Sequence, residues 1–390
     1  MPIVLLFTSF VISVLATFLL VRYSWLHDSV TSDPRSGPQK FHTHQVSRIG
    51  GVAVLAAFAA PIVFARLTMG SIDAAVALSG DRLIVLLLAC SLVAFAGGFA
   101  EDVNKGLSVR IRLFGTMLAA AMAFLIMDGR LDRVGVLGLD HLLEYRVLSL
   151  LFTMVAVGGI ANAINIVDGY NGLSGMVVVF ILGAMATVAC SVGDVFVLEI
   201  CLALIGAVLG FLVWNFPRGK IFLGDGGAYF LGFMVAELSV LLVRRHAEVS
   251  PWFPLMLVAY PVWETLYSIY RRKLVRGQSP GEPDSLHLHQ IIFRRVVGWK
   301  KFSRNPQDRI IRNSLTSPFL WALSLVTIIP GVVFWDDTVV LAVLFFAFGF
   351  CYNWLYRRIV TFRVPKWLII HRPAPDGEPE IQRDAVDQTS

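Results

Sequence analysis

Charge is scarce in this 390-residue chain: Asp, Glu, Lys and Arg together make up 15% of it, where a soluble domain carries about a quarter. With 56% hydrophobic residues beside it, that scarcity excludes an ordinary soluble globule and points to a polytopic membrane protein. Cysteine is scarce too. Cys90, Cys190, Cys201 and Cys351 all lie inside apolar runs without metal-ligand spacing, which excludes a disulfide framework and a thiolate zinc site and leaves them as small packing residues. The net charge of +6 comes from loops between apolar runs rather than from a basic domain, so nucleic acid is not an expected partner. No internal repeat is visible. No basic residue precedes the run Ile3 to Leu20 and no small-residue cleavage pattern follows it, whereas Arg22, Tyr23 and Trp25 suit an interface. A retained membrane helix is expected there, not a signal peptide.

What is abundant is apolar sequence in pieces of crossing length, about 20 residues for a bilayer core. Eleven such runs fall near 3–22, 50–68, 83–100, 111–128, 147–165, 176–192, 196–215, 227–243, 252–270, 317–335 and 338–356. The expected fold is therefore all-α, with about eleven transmembrane helices in a lipid bilayer. If the loop after the first helix is cytoplasmic, all but seven of the 33 Lys and Arg residues fall on the cytoplasmic side. The positive-inside rule then puts the N-terminus outside and the C-terminus inside. Residues 1–362, with the long loop 271–314, read as one catalytic unit. Residues 363–390 read as an interfacial segment and a disordered tail. The Gly-punctuated stretch 129–146 alternates apolar and polar residues, which suggests a short hairpin on the outer surface.

In that orientation, the polar residues that end helices abruptly gather on the cytoplasmic side. Glu101 and Asp102 stop the third run in "GGFAEDVNKGLSVRIR", with Lys105, Arg110 and Arg112 close behind. Asn162, Asn165, Asp168 and Asn171 end the fifth in "ANAINIVDGYNGLSG", and Asp225 opens the eighth in "KIFLGDGGAYFLG". His287 and His289 lie in the loop after the ninth, and Lys40, His42 and His44 in the loop after the first. Each has a plainer reading. A carboxylate pair can be a solvated stop, Asn162 and Asn165 share one helix face and can bond a neighbouring helix, and the glycines around Asp225 can serve close packing. Together, acids facing cations beside Gly turns at a helix N-terminus suit a divalent metal and a phosphorylated substrate. The histidines have no partner acid at zincin spacing, so zinc is not expected.

These residues carry a resemblance. Lys40, His42 and Gly50-Gly51, then Gly98 to Asp102, Asn162 to Leu173, Gly224 to Gly227, and Pro283-Asp284 with His287 and His289 stand in an order similar to the polyprenyl-phosphate N-acetylhexosamine-1-phosphate transferases, the MraY/WecA-like superfamily. "PDSLHLHQ" and the helix count resemble its glycan-initiating, WecA-like branch. The chain departs from the family pattern in having Glu101 in the paired acids, Asn171 in place of an acid, and Gln290 in place of the last His.

The resemblance implies transfer of a sugar-1-phosphate from a UDP-N-acetylhexosamine to undecaprenyl phosphate at the cytoplasmic face of a bacterial inner membrane. UMP leaves, and the product starts a cell-surface glycan such as an O-antigen. The cofactor implied is Mg2+, with Mn2+ as a second candidate. Its expected ligand is Asp225, with Asp102 or Asp168 nearby. Glu101 or Asp102 would position or deprotonate the lipid phosphate, since adjacent carboxylates disfavour double ionisation. Lys40, His42, His287 and His289 would hold phosphates or sugar. Asp168, a third catalytic candidate, and Asn171 would contact the uridine, and Asn162, Asn165 and Gly226 are further substrate-binding candidates. A phospho-N-acetylmuramoyl-pentapeptide transferase and a polytopic transporter are the alternatives, and a homodimer stays open.

Overall fold

The computed structural model describes residues 2–27, 31, 46–69, 74–277, 284, 286–297 and 306–361. The expectations placed on Lys40, His42 and the segment 363–390 lie outside these residues. The protein is an all-α polytopic membrane protein. Its helices are α1 (Pro2–Arg22), α2 (Gly50–Met69), α3 (Ala74–Asn104), α4 (Val109–Met127), α5 (Leu139–Leu143), α6 (Arg146–Val167) and α7 (Leu173–Ser191). There follow α8 (Val195–Asn215), α9 (Gly224–Arg245), α10 (Trp252–Leu257), α11 (Ala259–Tyr270), α12 (Leu288–Arg295), α13 (Pro306–Val333) and α14 (Thr338–Val360).

Each of the eleven apolar runs is helical over most of its length, and among the described residues nine helices are long and apolar enough to cross a membrane. The helix α2, Gly50–Met69, has 20 residues. The run 252–270 is broken at Val258 (φ −95°, ψ 13°) into α10 and α11. Pro261 sits in the first turn of the new helix, where its missing N–H costs no helix hydrogen bond and its ring does not crowd a helical carbonyl four residues back.

The stretch 129–146 is a turn and the short helix α5, not a hairpin. Its backbone groups find other partners. Asp140 accepts from the N–H groups of Val134 (2.7 Å) and Gly135 (3.1 Å). Arg133 donates to the carbonyls of Val243, His246 and Val249 at 2.9 Å each, which closes the far end of α9.

The position of α9 organises the rest. Its membrane-length window is wholly buried, and α2, α3 and α6 pack around it. Lipid chains are as apolar as Leu, so packing in a membrane is decided by shape and small residues rather than by hydrophobicity. The α1–α8 pair follows that rule. Gly206 and Gly210 bring the α8 backbone onto Leu6 and Phe10, Ser13 Oγ donates to the Ala207 carbonyl (2.5 Å), and Trp214 Nε1 to the Val14 carbonyl (3.1 Å).

Candidate active site

The site is built where α9 begins. Gly98 on α3 faces that first turn so closely that a Cβ there would lie 2.6 Å from the Asp225 carbonyl carbon and 2.7 Å from the Gly226 nitrogen. Only glycine lets the two backbones meet. Gly224 has φ +78°, a conformation that disfavours other residues. One turn of helix beyond Gly98, Asp102 reaches the N-terminus of α9. Its Oδ1 accepts from Asp225 N–H (2.9 Å) and its Oδ2 from Gly226 N–H (2.8 Å). Asp102, 1% exposed, thus caps the helix whose first residue-pair it faces, satisfying two of the four donors that a helix start leaves unpaired.

Two arginines complete the cluster. Arg48 Nη2 donates to Asp225 Oδ1 at 2.7 Å, and Arg48 Nε lies 3.5 Å from Asp102 Oδ1. Arg112, from the first turn of α4, pairs with Asp225 Oδ2 and sits 5.9 Å over the Tyr229 ring. The Tyr229 hydroxyl donates to Asn162 Oδ1 (3.1 Å), so Asn162 supports the cluster from α6. Glu101 turns outward: its Oε2 accepts from Gly106 (3.1 Å) and Leu107 (2.5 Å) and shapes the α3–α4 loop.

Asp168, half-buried just past α6, accepts from the Ser174 hydroxyl. Desolvation pushes its carboxyl up to about 6, with the Ser174 hydrogen bond and Arg48 working the other way. Its charge and that of Asp102 are near enough to interact. Asn165 is half-buried on the same helix end, with its carbonyl bonded to Asp168 N–H. Asn171 is drawn inward: its amide donates to the Pro217 carbonyl (2.9 Å), its N–H donates to Asn313 Oδ1, and its carbonyl accepts from Ser317. These contacts tie the loop after α6 to the α8–α9 turn and to α13.

The histidines join this end through a second buried network. His287 Nδ1 bonds Glu264 Oε1 at 2.9 Å, and Glu264 also accepts from Leu288 N–H and from the Tyr352 hydroxyl (2.7 Å). Arg271 pairs with Asp284 and donates to the Tyr356 hydroxyl. His289 stacks on His287 with ring centroids 5.4 Å apart and packs against Gly169, next to Asp168. Burial first, then His287, lowers its imidazole to about 3, so it is neutral at physiological pH. The structure therefore places His287 as an anchor of its loop and brings His289 to the Asp168 segment. Arg48, Glu264 and the specific role of Arg112 were missed by sequence reasoning. An acid inside an apolar run, as in "YPVWETLYSIY", is the signal that marks Glu264.

Among the described residues no three His, Cys, Asp or Glu side chains form a ready metal cage. The donor set still suits a hard cation: two carboxylates converge on one guanidinium, so a positive charge already fits between Asp102 and Asp225. A Mg2+ held by one or two carboxylates plus substrate phosphates needs no more protein ligands than these.

Residues 84–243 match the family described as glycosyl transferase family 4. The matched stretch holds Glu101, Asp102, Asp168 and Asp225, but not Arg48 or the histidine loop. Over 252 residues the chain is 29% identical to a probable undecaprenyl-phosphate N-acetylglucosaminyl 1-phosphate transferase of Bacillus subtilis (strain 168), covering 64% of this chain and 66% of that protein. It is 32% identical over 214 residues to a phospho-N-acetylmuramoyl-pentapeptide-transferase of Streptococcus pneumoniae (strain Hungary19A-6), covering 53% and 63%. The same identity holds over 221 residues with the enzyme of that name from Streptococcus gordonii (strain Challis), covering 55% and 64%. The alignments thus span just under two thirds of each relative's length.

Proposed function

The chain belongs to the polyprenyl-phosphate hexosamine-1-phosphate transferase superfamily, and from that premise we propose that it moves N-acetylhexosamine-1-phosphate from a UDP-sugar to undecaprenyl phosphate at the cytoplasmic face. The observation that carries this reading is the Asp102–Arg48–Asp225–Arg112 cluster at the start of α9. It puts two acids, two guanidinium groups and a helix N-terminus at one end of a membrane bundle, beside Asp168.

An oxygen of the lipid phosphate attacks the β-phosphorus of the UDP-sugar. The bond between that phosphorus and the bridging oxygen breaks, and UMP leaves with the electron pair. Both reactants are anions, so positioning and charge neutralisation dominate the barrier. Mg2+ held at Asp225 and Asp102 would offset the diphosphate charge when bound. Arg112, fixed by Tyr229 and Asn162, orients Asp225. Glu101, bonded to its own loop, and Asp102, spent on the start of α9, leave Asp168 as the carboxylate to position or deprotonate the lipid phosphate, and at about 6 it exchanges a proton near neutral pH. His289 presents a neutral ring beside Gly169, suited to hydrogen bonding rather than to charge neutralisation.

The test is UMP release by purified protein in detergent with undecaprenyl phosphate and Mg2+, each UDP-N-acetylhexosamine offered in turn. Release that depends on lipid and metal supports the reading, and UDP-N-acetylglucosamine is the donor expected first. The 32% identity to pentapeptide transferases keeps a second donor class in view, so UDP-N-acetylmuramoyl-pentapeptide belongs in the same panel. No release with any donor, from folded protein, would favour a transporter.

A further inference from the structure

We propose that Arg48 is an exchangeable counter-ion. It bridges Asp102 and Asp225 while the metal is absent, yields Asp225 to a divalent cation, and then holds the diphosphate, so that metal and diphosphate bind cooperatively. This inference rests on the reading of the site given above.

Three observations point to it. First, Arg48 occupies the place between the acids. Asp102 has both oxygens taken by backbone N–H groups, and Asp225 Oδ2 faces Arg112. A cation that approaches Asp225 Oδ1 therefore meets the Arg48 guanidinium 2.7 Å from it. Second, Arg48 is built to swing. Its side chain is 23% exposed, against 13% for Arg112 and 1% for Asp102. Its backbone is pinned: Arg48 N–H donates to the Thr31 carbonyl (3.1 Å), Gly50 N–H to Phe222 (2.9 Å), and Phe222 N–H to Ser47 (2.9 Å). A fixed pedestal with a long side chain can change partner without moving a helix. Third, acids and guanidinium groups alternate in the cluster: Asp102 and Asp225 face Arg48, and Asp225 also faces Arg112. A divalent cation adds two positive charges there, and the diphosphate supplies negative charge to offset them. A guanidinium released from a carboxylate matches phosphate oxygens in the same forked geometry.

The consequence is a linkage. If the cation-competent arrangement is a minor one while Arg48 holds Asp225, the apparent metal affinity falls by that fraction. A diphosphate that captures Arg48 restores it, and the coupling works equally in both directions.

The experiment uses the full chain purified in detergent, with Mn2+ as the metal probe, its unbound fraction followed by electron paramagnetic resonance, with and without UDP. In the unaltered protein UDP should tighten Mn2+ binding about tenfold, within the usual range of such couplings. In Arg48→Gln, Mn2+ alone should bind more tightly than in the unaltered protein, and the effect of UDP should shrink to about twofold or less. Arg48→Lys keeps the charge but loses the fork, so it should show an intermediate coupling, and it carries the same comparison if the Gln variant does not fold. Mn2+ affinity that is unchanged or weaker in both folded variants, or a full UDP effect in Arg48→Gln, overturns the exchange role alone. Failure of the unaltered protein to bind Mn2+ even with UDP overturns the underlying metal–diphosphate reading as well.

Discussion

Asp102→Asn is the substitution that separates a helix cap from a chemical base. The carboxylate gives one oxygen to each of two N–H groups, Asp225 at 2.9 Å and Gly226 at 2.8 Å. Asparagine fills the same space but offers one oxygen. Its NH2 group then faces a backbone N–H, donor against donor. One charge-assisted hydrogen bond is lost, worth about 1.5–3 kcal/mol, and a buried N–H is left without an acceptor at a cost of about 1–3 kcal/mol. The ion pair with Arg48 is lost as well. These terms overlap, so the expected loss of stability is about 2–4 kcal/mol, carried by a residue only 1% exposed. The start of α9 moves with the cap, and Asp225 with it. A displacement near 1 Å at such a site costs on the order of a hundredfold in rate. The assay pairs thermal unfolding in detergent, followed by tryptophan fluorescence, with UMP release. A large drop in turnover with an unchanged midpoint would refute the capping argument and return Asp102 to the role of base. Loss of both supports it.

Gly98→Ala should act on the same contact from the other helix: its Cβ would lie 2.7 Å from Gly226 N, and overpacking of this kind costs about 1–3 kcal/mol, read as a lowered unfolding midpoint and reduced turnover. Glu264→Ala leaves His287, Leu288 N–H and the Tyr352 hydroxyl without their acceptor, so hydrogen exchange across 286–297 should rise while α1 and α8 keep their protection. His289 is held at about 3 in the folded protein against 6.5 ordinarily. The unfolded chain therefore takes up the proton first, and the stability that the neutral ring contributes is full above about pH 6.5 and drains away as pH falls toward 3. His289→Gln should flatten the loss of thermal stability between pH 7.5 and 5, and parallel curves for the two proteins would count against it.

Much of the architecture was legible because lipid imposes a length. The eleven apolar runs mark helix, and the abrupt polar ends at Glu101-Asp102, Asp168 and Asp225 mark one end of the bundle. The proline in the first turn of α11 was present in the run as a visible residue, but its effect depends on where a helix must turn. Asn162 and Asn171 show the limit within a motif. Both stand in one short stretch, yet Asn162 supports Tyr229 below the arginine while Asn171 is spent on the Pro217 carbonyl. Their spacing alone does not distinguish these fates. Arg48 and Arg112 carry no such mark in the sequence, since nothing local ties either to Asp225, more than a hundred residues away.

The sequence by itself determined the class of molecule, the helices, and the residue types that gather at their ends, because a bilayer needs apolar segments of fixed length and makes every polar interruption conspicuous. The tertiary structure alone decided that α9 is the wholly buried helix, that Asp102 caps it, and that Arg48 and Arg112 share Asp225. The physical reason is that an apolar helix carries the same composition whether it faces lipid or protein. Its rotation and neighbours follow from backbone approach at residues such as Gly98 and Gly224, and the pairing of charges follows from that approach.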